Sequence, residues 1–253
     1  MLSEERRRKI VELVEHDGRV LVPELARRFS TSLITIRKDL EHLHRAGRIQ
    51  RAHGGALPVE TAALRDPTLH EKERLHRKEK LRIAAAAAKL VQPGQAIILD
   101  SGTTTTAVAR AVKHIARLTV ITNAVNIAAE LAGTNVEVVL TGGALRKNSF
   151  SLVGPLAEET LRQVTADLLF LAVDGFDVTR GLTTPNLLEA KVNRVMMESA
   201  KRTVVVCDSS KFGRRSLSRI AGTSAVHEVI TDSRISAKDL RRLREMGVKV
   251  AAV

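Results

Sequence analysis

Asp100, Ser101 and Gly102 are followed by four consecutive threonines, Thr103, Thr104, Thr105 and Thr106. Small residues and hydroxyls in an unbroken run suit an anion better than they suit a helix, because β-branched residues bring no propensity advantage to a helix start. Before the run stands a short apolar stretch, residues 96–99, and after it Ala107, Val108, Ala111 and Val112 recur at helical spacing. The order is strand, small-residue turn, helix N-terminus. Unpaired backbone N–H groups and the positive end of the helix dipole converge at such a point. A phosphate fits there, with residues 100–105 as its expected surroundings. The alternative is an ordinary βα turn in which serine and threonine only cap the helix. One glycine and no lysine leave the stretch short of a P-loop.

Other polar clusters follow later apolar runs. They are Thr122-Asn123, Thr141-Gly142-Gly143 with Arg146 and Lys147 behind it, Asp174-Gly175-Phe176-Asp177, and Asp208-Ser209-Ser210-Lys211. The third leads into Gly181-Leu182-Thr183-Thr184-Pro185-Asn186. Asn186 and Glu189 stand three apart before an apolar helix, so Glu189 is either part of a helix cap or an acceptor for ligand hydroxyls. Asp174 and Thr183 are expected beside it. Lys191 and Lys211 could each hold a phosphate or carboxylate as a point charge, and for each a solvated surface lysine is an equal reading. Arg146 carries the same two readings.

These clusters need a scaffold. Apolar strands near residues 96–99, 118–122, 136–141, 168–173, 203–207, 227–231 and 249–253 alternate with helical stretches. That alternation predicts an α/β domain with a mostly parallel sheet covered on both faces. Ligands of such sheets bind beyond the C-terminal strand ends, where all five clusters fall. Thr68 and Glu71 form a capping-box pattern for a charged helix running to about Leu90.

The first quarter of the chain reads differently. A helix over residues 3–16 is followed by a short extended piece, a helix opened by Pro23, and a helix over residues 32–46 with Leu33, Ile36, Leu40 and Leu43 as its buried stripe. Gly47 ends it, and Arg48 to Gly55, with Arg51 and His53, reads as a hairpin wing. Two short helices joined by a tight turn form a helix-turn-helix layout. The face opposite the stripe carries Ser32, Thr35, Arg37 and Lys38. Such a helix enters the major groove of duplex DNA, its basic residues meeting phosphates together with Arg48 and Arg51 of the wing. The alternative is a solvated charged helical bundle. Expected boundaries are 1–57 for this domain, 58–74 for a linker and 75–253 for the α/β domain.

Two sets of residues carry a family resemblance. Arg6, Ile10 and Val14, with Ser32-x-x-Thr35-Ile36-Arg37-Lys38-Asp39-Leu40, resemble the helix-turn-helix signature of the DeoR family of bacterial transcriptional regulators. The clusters at 141–155, 174–184 and 208–213 resemble its sensor domain. The resemblance covers nearly the whole chain. It implies a winged helix-turn-helix that binds double-stranded operator DNA, usually repressing sugar-use genes, and a second domain that binds a phosphorylated sugar. The wording around Asp174 and Gly181 is most similar to regulators of amino-sugar or hexitol use. The sensor fold is also similar to ribose-5-phosphate isomerase, in order through Ser101-Gly102-Thr103-Thr104, Asp174 to Asp177 and Asp208 to Lys211. Where that enzyme has a Gly-rich turn before its catalytic lysine region, this chain has Thr183-Thr184-Pro185-Asn186. The departure argues against turnover and leaves binding intact.

Composition agrees with a nucleic-acid partner. The 253 residues carry 41 Lys and Arg against 28 Asp and Glu, a formal charge of +13, which favours a polyanion. One cysteine excludes a disulfide framework within the chain and suits a reducing cytoplasm. Cys207, in an apolar strand, is expected to be a buried inert thiol. No apolar run approaches the ~20 residues of a membrane span. Absence of Trp and Tyr argues against base-stacking platforms for single strands. The eight histidines lack ligand spacing, so neither metal nor cofactor is expected. Three functions compete: a DNA-binding repressor with a sugar-phosphate sensor, a sugar-phosphate isomerase with an appended DNA-binding module, and a DNA-associated structural protein. The clusters on one sheet edge favour the first. A homo-oligomer, dimer or tetramer, is expected, because two winged modules would dock on paired half-sites.

Overall fold

The computed structural model describes residues 3–17, 20–52, 54–58 and 66–253. The chain divides into two units, Met1–Ala62 and Ala63–Val253. His53 and residues 59–65 of the expected linker lie outside the described residues. The helix that begins after Thr68 belongs to the second unit rather than to a linker.

In the first unit, helices Ser3–Asp17, Val22–Arg28 and Leu33–Arg45 pack around Ile10, Val14, Leu25, Ile36, Leu40 and Leu43. The wing pairs Ile49–Ala52 antiparallel with Gly55–Pro58, and Val20–Leu21 adds a third strand on the far side. Ser32 caps the third helix, accepting from the Thr35 N–H at 3.1 Å. Its first turn projects past the core, so Leu33, expected in the buried stripe, is 45% exposed beside an exposed Ile34. Asp39, buried on the same helix, receives Arg6 Nε at 2.6 Å and Arg7 Nε at 2.8 Å. This pairing fastens the first helix to the third.

The second unit holds a seven-stranded sheet whose neighbours are all parallel. Its spatial order is Lys249–Ala252, Glu228–Thr231, Thr203–Val206, Leu168–Leu171, Ala96–Leu99, Thr119–Thr122, Glu137–Leu140. Two apolar cores, one on each face, bury the Val, Ile and Leu runs. The chain starts in Ala96–Leu99, steps outward twice, then returns to place Leu168–Leu171 on the other side of its first strand. Strand order therefore reverses between these two neighbours, and a crevice opens at their C-terminal ends.

Two smaller pieces had no separate signal in the sequence. Strands Gly175–Asp177, Gly181–Thr184 and Ser218–Ala221 form an antiparallel sheet, and Ala144–Arg146 pairs with Ser151–Val153 as a hairpin. The expected long helix to Leu90 is two helices, Leu69–Arg74 and Arg77–Ala88, broken at Leu75 and at His76, whose φ is 52°. The Thr68 capping box is present: Oγ1 accepts from the Glu71 N–H at 3.3 Å, and the Glu71 carboxylate accepts from the Thr68 N–H at 2.8 Å.

Removing Asp39 leaves two guanidinium groups against an apolar core without their anion. Asp39→Ala should destabilise the first unit by about 3 kcal/mol, read by urea unfolding of the full chain with circular dichroism. A loss below about 1 kcal/mol would show that the two pairs do not hold the unit together.

Candidate functional site

The strand Ala96–Leu99 ends at Asp100, and Gly102 opens the helix Thr103–Val112. A Cβ on Gly102 would stand 2.9 Å from the Ala172 methyl, so only glycine lets the turn lie against the neighbouring strand end. Among the described residues, no side chain caps this helix. The hydroxyls of Thr105 and Thr106 turn back to the Gly102 carbonyl, at 2.9 and 2.7 Å. The first-turn amides are thus not covered by the hydroxyls around them, as the capping-only reading would require.

Around this turn the second unit forms a cavity at the strand-order reversal. Its walls are Asp100 to Thr104 from the first strand end, Ala172 to Asp174 from the second, and Val206 to Asp208 with Ser210, Lys211 and Arg214 from the third. Helix Leu187–Glu198 adds Glu189 and Asn193. A strap formed by helix Leu69–Arg74 and the turn behind it adds Leu69, Lys72, Leu75 and His76, and helix Arg77–Ala88 adds Lys80. The strap is tied down at both ends. The Leu69 N–H donates to the Asn148 carbonyl at 2.6 Å, and Lys72 Nζ meets Asp174 Oδ1 at 2.7 Å.

Cations dominate one side. Burial works against the Lys72 ammonium, but Asp174 overcomes it and raises the lysine's pKa. Burial likewise opposes ionised Asp174, and Lys72 and Lys211 hold its carboxyl below the ordinary range. For Lys80 burial outweighs the nearby Asp208 and lowers its pKa to about 8, and its ammonium donates to the Lys72 carbonyl. Asp208 accepts from the Ser210 N–H at 3.0 Å and lies 4.0 Å from His76 Nε2. Asp232 in turn accepts from Ser209 N at 2.6 Å, fixing the turn that carries Lys211. On the other side burial, with Glu189 nearby, pushes the Asp100 carboxyl well above the ordinary range. Glu189 pairs with Arg146, which also pairs with Asp66, and its carboxylate accepts from Ser151 at 2.8 Å and Thr184 at 3.1 Å.

Of the residues expected from sequence, Asp100, Ser101, Gly102, Thr103, Thr104, Asp174, Glu189 and Lys211 meet at this cavity. Six do not line it. Thr105 is buried in its own helix turn. Asn123 is buried and donates to the Leu152 carbonyl at 3.2 Å, securing the hairpin. Gly181 serves a close approach, since a Cβ there would lie 2.0 Å from the Ala221 carbonyl oxygen. Thr183 donates to the Gly175 carbonyl and accepts from Ser216 N, while strand alternation turns Thr184 to the cavity instead. Lys191 is exposed to solvent, because the cavity face of its helix carries Glu189 and Asn193, four residues apart. Arg146 acts behind the wall through Glu189. Asn186 alone makes the helix cap, accepting from Leu188 N and Glu189 N, which frees the Glu189 side chain for the cavity.

Sequence reasoning missed Lys72, His76, Lys80, Asn148, Ser149, Thr184, Asn193 and Arg214. The 189/193 spacing was a usable signal for Asn193. Lys72 and Lys80 lie in a charged run that reads as a solvated helix, and only the tertiary fold brings them inward. Cys207 also lines the cavity, but burial raises its thiol pKa, leaving it inert. Among the described residues, no group of three or more His, Cys, Asp or Glu could hold a metal.

Residues 6–62 match the family model described as DeoR-like helix-turn-helix domain, and residues 75–233 match the DeoR C terminal sensor domain. The chain belongs to the DeoR family of transcriptional regulators. An Escherichia coli O157:H7 protein provisionally named as the aga operon transcriptional repressor is 42% identical over 253 residues, covering 99% of this chain and 94% of its own. The HTH-type transcriptional regulator GlpR of Haloferax volcanii is 42% identical over 251 residues, covering 99% and 98%. The glycerol-3-phosphate regulon repressor of Escherichia coli K12 is 32% identical, covering 92% of each chain. A solved ribose 5-phosphate isomerase A from Methanocaldococcus jannaschii covers 54% of each chain at 19% identity and TM-score 0.40. This DeoR-family chain is a DNA-binding transcriptional regulator. No helix among its described residues is long and apolar enough to cross a membrane.

The third helix of the first unit presents Arg37 and Lys38 to solvent along a shallow groove with Ile34, Glu41 and Arg45. Ser32 and Thr35 stand at its N-terminal end, their hydroxyls 2.9 Å apart. Arg48 is exposed at the wing's entrance. Arg51 is half-buried and pairs with Glu41 at 2.9 Å, which braces the wing against the helix. Arg37→Ala should weaken duplex binding and lower the slope of log affinity against log salt by about one. An unchanged slope would remove this helix from the phosphate contacts.

Proposed function

We propose that this chain represses carbohydrate-use genes in the cytoplasm, and that a phosphorylated sugar held in the second unit modulates its grip on operator DNA. One observation carries the reading: Lys72, Lys80 and Lys211 line one cavity with a helix N-terminus that no side chain among the described residues caps. Amides and a helix dipole favour an anion, and Lys80 and Lys211 bring two further ammonium groups to the same cavity beside the Lys72–Asp174 pair. The phosphate sits over residues 101–104. Its sugar hydroxyls point toward Thr184 and Glu189. Two of the relatives are named for a glycerol-3-phosphate regulon and an aga operon, which supports a carbohydrate-linked role.

The phosphate draws on Lys72, which otherwise serves Asp174. Ligand binding thereby redistributes the ties that hold the strap, and the strap is where the chain enters the second unit. A ligand shifts operator affinity only by preferring one arrangement over the other, and strap-held and strap-released forms supply two. Homo-oligomers dock their winged modules on paired half-sites.

The ligand search is a thermal-shift screen of hexose, hexitol, amino-sugar, pentose and glycerol phosphates, because a ligand selective for the folded state raises the melting temperature. Lys211→Ala should abolish the shift while duplex binding without ligand persists. pH gives a second reading. Free Lys80 loses its proton as pH rises through about 8, so phosphate affinity should fall by about tenfold per unit above that point. A shift that survives Lys211→Ala, with affinity flat from pH 7 to about 9.5, would place the anion elsewhere.

A further inference from the structure

Two oxygen atoms in the cavity wall have nothing to bond. Among the described residues, Asp100 Oδ1 and Asn193 Oδ1 are sealed from solvent with no partner in hydrogen-bond geometry, although the Ser101 N–H stands near enough to the Asp100 carboxyl to favour its ionised form. Their residues are 2% and 4% exposed, and both line the cavity. The two side chains are locked together: Asn193 Nδ2 donates to Asp100 Oδ2 at 3.1 Å, and the Ala172 N–H donates to the same oxygen at 3.2 Å. Asp100 Oδ2 is therefore saturated, and Asn193 is oriented with its amide nitrogen spoken for and its oxygen free. A buried polar atom left unpaired costs about 1–3 kcal/mol. Two side by side, on side chains joined to one another, mark a place that something else completes.

The chemistry of the pair defines what completes it. Burial and the neighbouring Glu189 favour the protonated Asp100 carboxyl. With Oδ2 already accepting two N–H groups, the proton belongs on Oδ1, which becomes a donor. Asn193 Oδ1 can only accept. A donor and an acceptor on adjoining side chains complement a hydroxyl, which accepts from one and donates to the other. A carbonyl would leave the asparagine oxygen unpaired.

We infer that Asp100 and Asn193 form a hydroxyl-reading subsite, which selects phosphorylated ligands with a hydroxyl held here over analogues carrying hydrogen at that position. The inference rests on the proposed binding of the phosphate over residues 101–104, which anchors the ligand so that one hydroxyl reaches the pair. A ligand lacking the hydroxyl leaves both oxygens unpaired again, a loss on the order of 100-fold or more.

The test is calorimetric titration of the full chain with glucose 6-phosphate, glucitol 6-phosphate, ribose 5-phosphate and glycerol 3-phosphate, with inorganic phosphate as reference. At least one organic phosphate should bind wild type about tenfold or more tighter than inorganic phosphate, and Asn193→Leu, of similar volume, should erase most of that preference. Inorganic phosphate should be affected far less. Asp100→Asn, whose amide restores a neutral donor, should keep most of the preference. Circular dichroism melts establish that each variant is folded. Retention of the preference in Asn193→Leu, or its full loss in Asp100→Asn, would overturn the subsite. Wild type that prefers no organic phosphate would overturn it too, while leaving the phosphate reading in place. Wild type that does not bind even inorganic phosphate would overturn both.

Discussion

The ion pair between Lys72 and Asp174 is the contact on which the second unit's cavity depends. It joins the first described helix of that unit to a strand end at the point where the sheet order reverses. Desolvation works against both charges, and each persists because the other is there. Such a pair contributes little net stability compared with an apolar contact of equal volume. Under the proposed function its value lies in being separable: an arriving anion would compete with Asp174 for the same ammonium, while a leucine pair would offer no such competition. The second tie, from Asp66 through Arg146 to Glu189, runs from the same end of the chain to the same cavity.

The sheet explains why the charges meet here. Seven parallel strands with buried faces leave polar residues only at their ends, and the reversal between Ala96–Leu99 and Leu168–Leu171 leaves those ends uncovered by a crossover helix. Gly102 lets the threonine turn press against Ala172, which keeps the amides of the helix start at the crevice. The strap closes the open side. The cavity then holds unbalanced groups of both kinds, Lys80 with a depressed pKa and two oxygens without partners. Local rules of capping and satisfaction are broken at this cavity while the surrounding cores obey them, as expected of a binding site.

Much of this was legible in the residues. The alternation of apolar runs with helical stretches yields the parallel sheet, because strands buried on both faces must be continuously apolar. The Ile36, Leu40 and Leu43 stripe and the wing follow from spacing alone. The threonine run and the carboxylates Asp100, Asp174 and Glu189 were visible because each follows a strand or opens a helix. Thr183 and Thr184 could not be separated, since one residue of register decides which faces the cavity. Lys72 and Lys80 were hidden, because a lysine that snorkels to solvent and one that folds over a pocket look the same in a charged helix. His76, in a left-handed conformation that breaks that helix, carries no glycine to announce it.

The most direct test is a crystal structure of the full chain at saturating inorganic phosphate. The account predicts a phosphate within hydrogen-bond reach of the amides at the start of helix Thr103–Val112 and of the ammonium groups of Lys80 and Lys211. A phosphate bound only to exposed basic residues outside the cavity, with the helix start unoccupied and Lys72 still on Asp174, would contradict it.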